Sequence, residues 1–148
     1  MVELRIMANR YPTQINALWI AFLLGTLFHT DLGLMPLFHD QAVEHSHAGG
    51  NLDLVFGFML FFFAIPMVLI ILTTFTNSKG FRRLHFLVTS LYSVLNVGHL
   101  IADIVVQAPW YQLVLMTLLL GIGILLNLVS YQWLQKRYHR IRKTIPAA

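Results

Sequence analysis

The chain contains no cysteine. Disulfides, cysteine-bound zinc and thiol catalysis are therefore excluded, and any metal must be held by histidine, carboxylate or backbone groups. Charge is scarce as well. Asp, Glu, Lys and Arg make up 11% of the 148 residues, against roughly 25% in a soluble domain. So few charges cannot coat a water-exposed surface. Serine or glutamate nucleophile sites, phosphate-cradling glycine loops and nucleic-acid motifs are also missing, and nucleic acid is not an expected partner.

Apolar residues dominate instead, at 57% of the chain, with a mean hydropathy of +0.70. A helix needs about 20 apolar residues to cross the hydrocarbon core of a bilayer. Four stretches reach that length: Ile15 to Met35, Leu54 to Phe75, Leu84 to Val106 and Trp110 to Leu134. The expected fold is an all-α integral membrane protein, one transmembrane domain over residues 1–148 built as a four-helix bundle. Short connections at 76–83 and 107–109 imply antiparallel neighbours. The one long connection, about 36–53, is more often functional than a short one. Arg5 and Arg10 before the first stretch resemble a signal peptide, but no small-x-small cleavage site follows Phe28, so an uncleaved span is expected.

All ten Lys and Arg fall on one side of this arrangement. They are Arg5 and Arg10, then Lys79, Arg82 and Arg83, then Lys136, Arg137, Arg140, Arg142 and Lys143. The positive-inside rule places that side, with both termini, in the cytoplasm. A bacterial-type inner membrane or a thylakoid-like membrane is the expected location. The basic tail 135–148 is read as a segment that meets anionic lipid. Five acids, Asp31, Asp40, Glu44, Asp53 and Asp103, lie at or near the opposite side. Aromatic anchors are expected at both faces, Trp110 and Tyr111 outside, Tyr131 and Trp133 inside. Pro66 falls mid-span, where it kinks the helix and frees the carbonyl of Phe62. Gly121 and Gly123 are read as admitting a close neighbour. Phe61, Phe62 and Phe63 are read as lipid contact or packing, and Asn127 and Ser130 as interhelical hydrogen-bonding groups.

Two of the seven histidines, His85 and His139, sit beside arginines and are assigned to lipid headgroup contact. The other five, His29, His39, His45, His47 and His99, map to the outer half. His29 and His99 each lie about 14–15 residues past the inner start of their spans. At a rise of 1.5 Å per residue both stand roughly 21–23 Å up a core about 30 Å thick. Their helices run in the same direction, so the two imidazoles share a level and can face each other. Asn96, His99 and Asp103 share a helix face by spacing, with Thr89 extending the stripe inward. Thr26, His29 and Thr30 form a second polar patch. Asp103 is expected to pair with His99, either fixing its tautomer or ligating directly.

Imidazoles with carboxylates suit zinc, copper(II), nickel or non-haem iron. A three-histidine site with an open position is the catalytic zinc arrangement, and His29, His99 and His45 or His47 could build it. The favoured reading is a small membrane protein that binds zinc, copper or iron at its outer face through His29, His99, Asp103, His45, His47 and His39. It is a metalloenzyme that activates water or oxygen, or a metal-handling protein. The alternatives are a b-type haem electron carrier with His29 and His99 as axial ligands, and a non-catalytic subunit that joins partner subunits in a larger membrane complex. A purely structural His99–Asp103 pair with solvated loop histidines is a further reading. A transporter ranks lower, because no continuous polar path toward the inside is evident beyond Thr89, Asn127 and Ser130.

Overall fold

The structure, a computed structural model, describes residues 10–39 and 52–136. They form four long helices: α1 Arg10–Leu34, α2 Leu52–Phe75, α3 Lys79–Val105 and α4 Trp110–Gln135. A short 3-10 turn, Met35–His39, follows α1. No strand occurs among the described residues. Each helix is long and apolar enough to cross a membrane. Helices α1 and α3 begin five residues before their apolar stretches. Lys79, Arg82 and Arg83 thus belong to α3 rather than to a loop.

The helix ends follow from local chemistry. Ser78 caps α3, its Oγ accepting the Phe81 N–H at 3.1 Å. This satisfies one of the four donors that a helix N-terminus leaves open. At the far end Gln107 takes a left-handed φ of 55° and reverses the chain. Pro109 then opens α4 and its carbonyl accepts from Gln112 and Leu113.

Helix α4 is the centre of the packing, with α3 along one side and α1 along the other, while α2 leans on α1. Gly25 makes the α1–α4 contact close, since a Cβ there would lie 2.5 Å from Leu119 Cδ2. Of the two glycines expected to admit a neighbour, Gly123 does so, with Ser93 Oγ 3.1 Å from where its Cβ would stand. Gly121 faces open space. Large apolar side chains point outward all along the helices, among them Leu24, Leu60, Phe61, Leu87, Val94, Val114 and Leu125.

The core is small, aromatic and mixed with polar groups. Trp19, Phe22 and Tyr92 meet edge to face, with Trp19 and Tyr92 centroids 5.3 Å apart. Such pairs contribute about 0.5–1.5 kcal/mol beyond area burial. The buried residues of α3 are Arg82, His85, Thr89, Tyr92 and Asn96. They repeat at alternating steps of three and four, so one stripe of α3 faces inward along its length, and it is polar.

Tyr92 also answers the backbone defect made by proline. Pro66 has no N–H for the carbonyl four residues earlier, and Tyr92 Oη donates to that same Phe62 carbonyl at 2.8 Å. Tyr92→Phe is expected to cost about 1–2 kcal/mol, since a buried acceptor loses its only replacement donor. In a Pro66→Ala background the helix supplies its own N–H, and the cost of Tyr92→Phe should fall to near zero. Unfolding of the four proteins of this cycle in mixed detergent gives the coupling. Equal costs in both backgrounds would remove the compensation from the account.

Candidate metal centre

Helix α1 continues through the polar triplet His29-Thr30-Asp31 instead of ending at Phe28. The hydroxyls of Thr26 and Thr30 donate to the carbonyls of Phe22 and Thr26 on their own helix. This satisfies them locally and leaves His29 as the group that projects toward α3. His29 is mostly covered, with a side-chain exposure of 12%, and Asp31 is exposed.

Across the bundle, His99 Nε2 lies 3.3 Å from His29 Nε2. The rings are edge to face, with centroids 5.3 Å apart. Asp103, one turn beyond His99, reaches both: Oδ2 lies 3.6 Å from His29 Nε2 and Oδ1 lies 3.8 Å from His99 Nε2. One ligand atom from each of the three residues falls within 4.8 Å of the others. The group could hold a metal ion. Asp103 Oδ2 is buried with no hydrogen-bond partner, as is His29 Nδ1. Asp103 therefore converges on the same point as the two imidazole nitrogens and does not brace a far ring nitrogen. His99 is the accessible member, with 57% of its side chain exposed.

Metal–ligand distances of about 2.0–2.2 Å at tetrahedral angles require ligand atoms about 3.3–3.6 Å apart. The His–His separation already has this value, while the carboxylate meets the two imidazoles through different oxygens and would have to turn to bring one of them to both. A tetrahedral ion held by these three residues would have a fourth position for water, substrate or another residue. His45 and His47, also proposed as ligands, lie outside the described residues. His39 ends the 3-10 turn that follows α1.

Next to the cluster is a cavity of about 400 Å³. Phe58, Met59, Phe62 and Phe63 of α2 form one wall, and Leu95, Asn96, His99 and Ala102 of α3 the other. Thr26, His29 and Thr30 close one side. The Phe62 and Phe63 of the apolar run therefore line an interior space, while Phe61 points outward.

Two assignments made from sequence are overturned at the opposite end. His85 is not a headgroup contact. It is fully buried. Its Nε2 accepts from Trp19 Nε1 at 3.0 Å, and its Nδ1 lies 3.2 Å from Ser130 Oγ. An indole N–H only donates, so Nε2 carries no proton and Nδ1–H donates to Ser130. Trp133 is not an interfacial anchor either, being buried against His85 and Phe81. The reason is the same in both cases. The inward stripe of α3 extends to the end of the helix and carries Arg82 and His85 with it. Arg82 donates to the carbonyls of Trp133 and Lys136 and to Asn77 Oδ1, tying α3 to the α4 C-terminus. The steps Arg82, His85, Thr89, Tyr92, Asn96 were a readable signal for this. Asn127 does bond between helices, donating to Ser93 Oγ at 2.7 Å.

Comparison with known proteins adds nothing to this geometry: no family model, no curated protein and no solved structure matches the chain.

Proposed function

We propose that this chain is a membrane protein that binds one transition metal ion through His29, His99 and Asp103 and keeps a coordination position open. The observation that carries the reading is the convergence of three ligand atoms from two helices, all within 4.8 Å of one another, with the two imidazole nitrogens 3.3 Å apart. Two imidazoles and a carboxylate suit zinc first, with copper(II) or iron(II) as other occupants. An ion fits better than haem. A porphyrin held by both histidines would have to pass between their Nε2 atoms, and those atoms are 3.3 Å apart with the Asp103 carboxylate beside them.

The bundle ends differ in charge, which supports the membrane orientation. Arg10 opens α1, Lys79, Arg82 and Arg83 open α3, and Lys136 follows α4 with its Nζ over the Tyr11 ring. These basic groups share one end, and the His–His–Asp cluster lies toward the other. By the positive-inside rule the basic end is cytoplasmic and the metal is met from the outer side.

The test is metal analysis of the untagged protein purified in mild detergent, with an absorption spectrum of the same sample. One transition metal per chain is expected, lost in His99→Ala. A Soret band would replace the ion with haem. Absence of metal after zinc, copper and iron(II) have each been offered would end the metal reading and leave the cluster as a hydrogen-bonded structural pair.

A further inference from the structure

The cavity beside the cluster has unmet chemistry of its own. Its walls are apolar, made by Phe58, Met59, Phe62, Phe63, Leu95 and Met116. Its polar groups are few, and two of them are already committed: Thr26 and Thr30 give their protons to backbone carbonyls. Asn96 is different. It is 7% exposed and lines the cavity, yet its Oδ1 is buried without a partner. A buried acceptor left unpaired costs about 1–3 kcal/mol, so this position calls for a donor from whatever fills the space.

The route in is also visible. Helix α2 packs mainly on α1 and meets α3, its partner in the hairpin, at Phe62 and Tyr92. The cavity residues Phe58 on α2 and Gly98, His99 and Ala102 on α3 are exposed, so the space opens sideways between these helices. At about 400 Å³ it falls near the lower end of small-molecule sites, roughly 300–1,000 Å³. That favours one chain over a two-chain lipid. The unpaired Asn96 Oδ1 asks for a donor, which a neutral alcohol supplies and an ionised carboxylate headgroup does not.

We propose that the cavity takes a single-chain lipid alcohol, which enters from the bilayer between α2 and α3 and donates its hydroxyl to Asn96 Oδ1. The apolar chain lies along Phe58, Met59 and Phe62, and the head comes to rest beside His29 and His99. The substrate class of the metal site is then a membrane-dissolved alcohol. That last step rests on the metal reading; occupation of the cavity does not.

The probe is a long-chain primary alcohol carrying a photoreactive diazirine, added to the protein in phosphatidylcholine vesicles, once with zinc and once after chelation. Saturable labelling is expected on Phe58, Met59, Phe62 or Ala102, in both samples. Unlabelled alcohol should displace it, and the matching methyl ether, which cannot donate, should do so five- to tenfold less well. Asn96→Leu should lower labelling by a similar factor. Ala102→Trp, which leaves Asn96 in place and blocks the mouth, should abolish it. Helix content by circular dichroism confirms that each variant is folded. Labelling spread evenly over the outward faces of all four helices, or equal displacement by alcohol and ether, overturns the proposal. Labelling without zinc binding would sink the metal reading alone, and zinc binding without labelling would sink the cavity alone.

Discussion

A His29→Ala protein is expected to bind zinc at least about 100-fold more weakly than the wild type. Loss of a residue that merely orients a ligand costs 10–100-fold in metal affinity, and in the proposed site His29 would be a direct ligand, its Nε2 3.3 Å from that of His99. Asp103→Asn keeps the shape and removes the charge, so a 10–100-fold loss is expected there. Competition against a chromophoric chelator gives both numbers. Thermal unfolding gives an independent check. Zinc at about 100 times its dissociation constant stabilises the folded state by about 2.7 kcal/mol, so saturating zinc should raise the wild-type Tm and leave that of His29→Ala unmoved. Acidification should weaken binding in the wild type, because protons compete for both imidazole nitrogens. A wild-type Tm indifferent to zinc, together with chelator curves that superimpose for the three proteins, would reduce the cluster to a structural contact.

The second large effect concerns folding. His85→Ala is expected to destabilise the bundle by about 3 kcal/mol. Most of this comes from packing lost around a fully buried ring that touches Trp19, Phe81 and Trp133, at the scale of other large-to-alanine core changes. The hydrogen bonds add less. Interhelical bonds in membrane proteins average about 0.6 kcal/mol and reach about 1.7. The Trp19 contribution separates out in a cycle of His85→Leu and Trp19→Phe, where a coupling of about 1 kcal/mol is expected. Metal binding should survive in His85→Leu, since an aromatic layer of Trp19, Phe22 and Tyr92 lies between the two polar clusters. A loss below about 0.5 kcal/mol for His85→Ala would return this histidine to the surface role that its arginine neighbours suggest.

Those neighbours show where reading a sequence misleads. Arg82, Arg83 and His85 look like a surface cluster at a membrane edge. The steps of three and four from Arg82 to Asn96 put Arg82 and His85 on one stripe and Arg83 off it, but only the position of α3 against α4 and α1 reveals that this stripe faces inward. The partners of His85 are 66 and 45 residues away in the chain, and no local pattern identifies them. Trp133 was misplaced for the same reason: aromatic residues near helix ends suit an interface or a core equally well, and rotation about the helix axis decides between them.

The sequence by itself determined four helices long and apolar enough to cross a membrane, because length and composition alone set that requirement. It also determined that His29 and His99 share a level, since a helix advances by a constant rise per residue and two helices of the same direction keep count together. The free Phe62 carbonyl was equally legible, because the proline defect is local. Tertiary structure alone decided that the Asp103 carboxylate reaches both imidazoles, and that Tyr92 supplies the donor for Phe62. It alone decided that α2 meets α3 at Phe62 and Tyr92 and leaves a cavity between them beside the cluster. Those outcomes depend on the rotation and tilt of each helix, which are set by how side chains from distant parts of the chain fill space together.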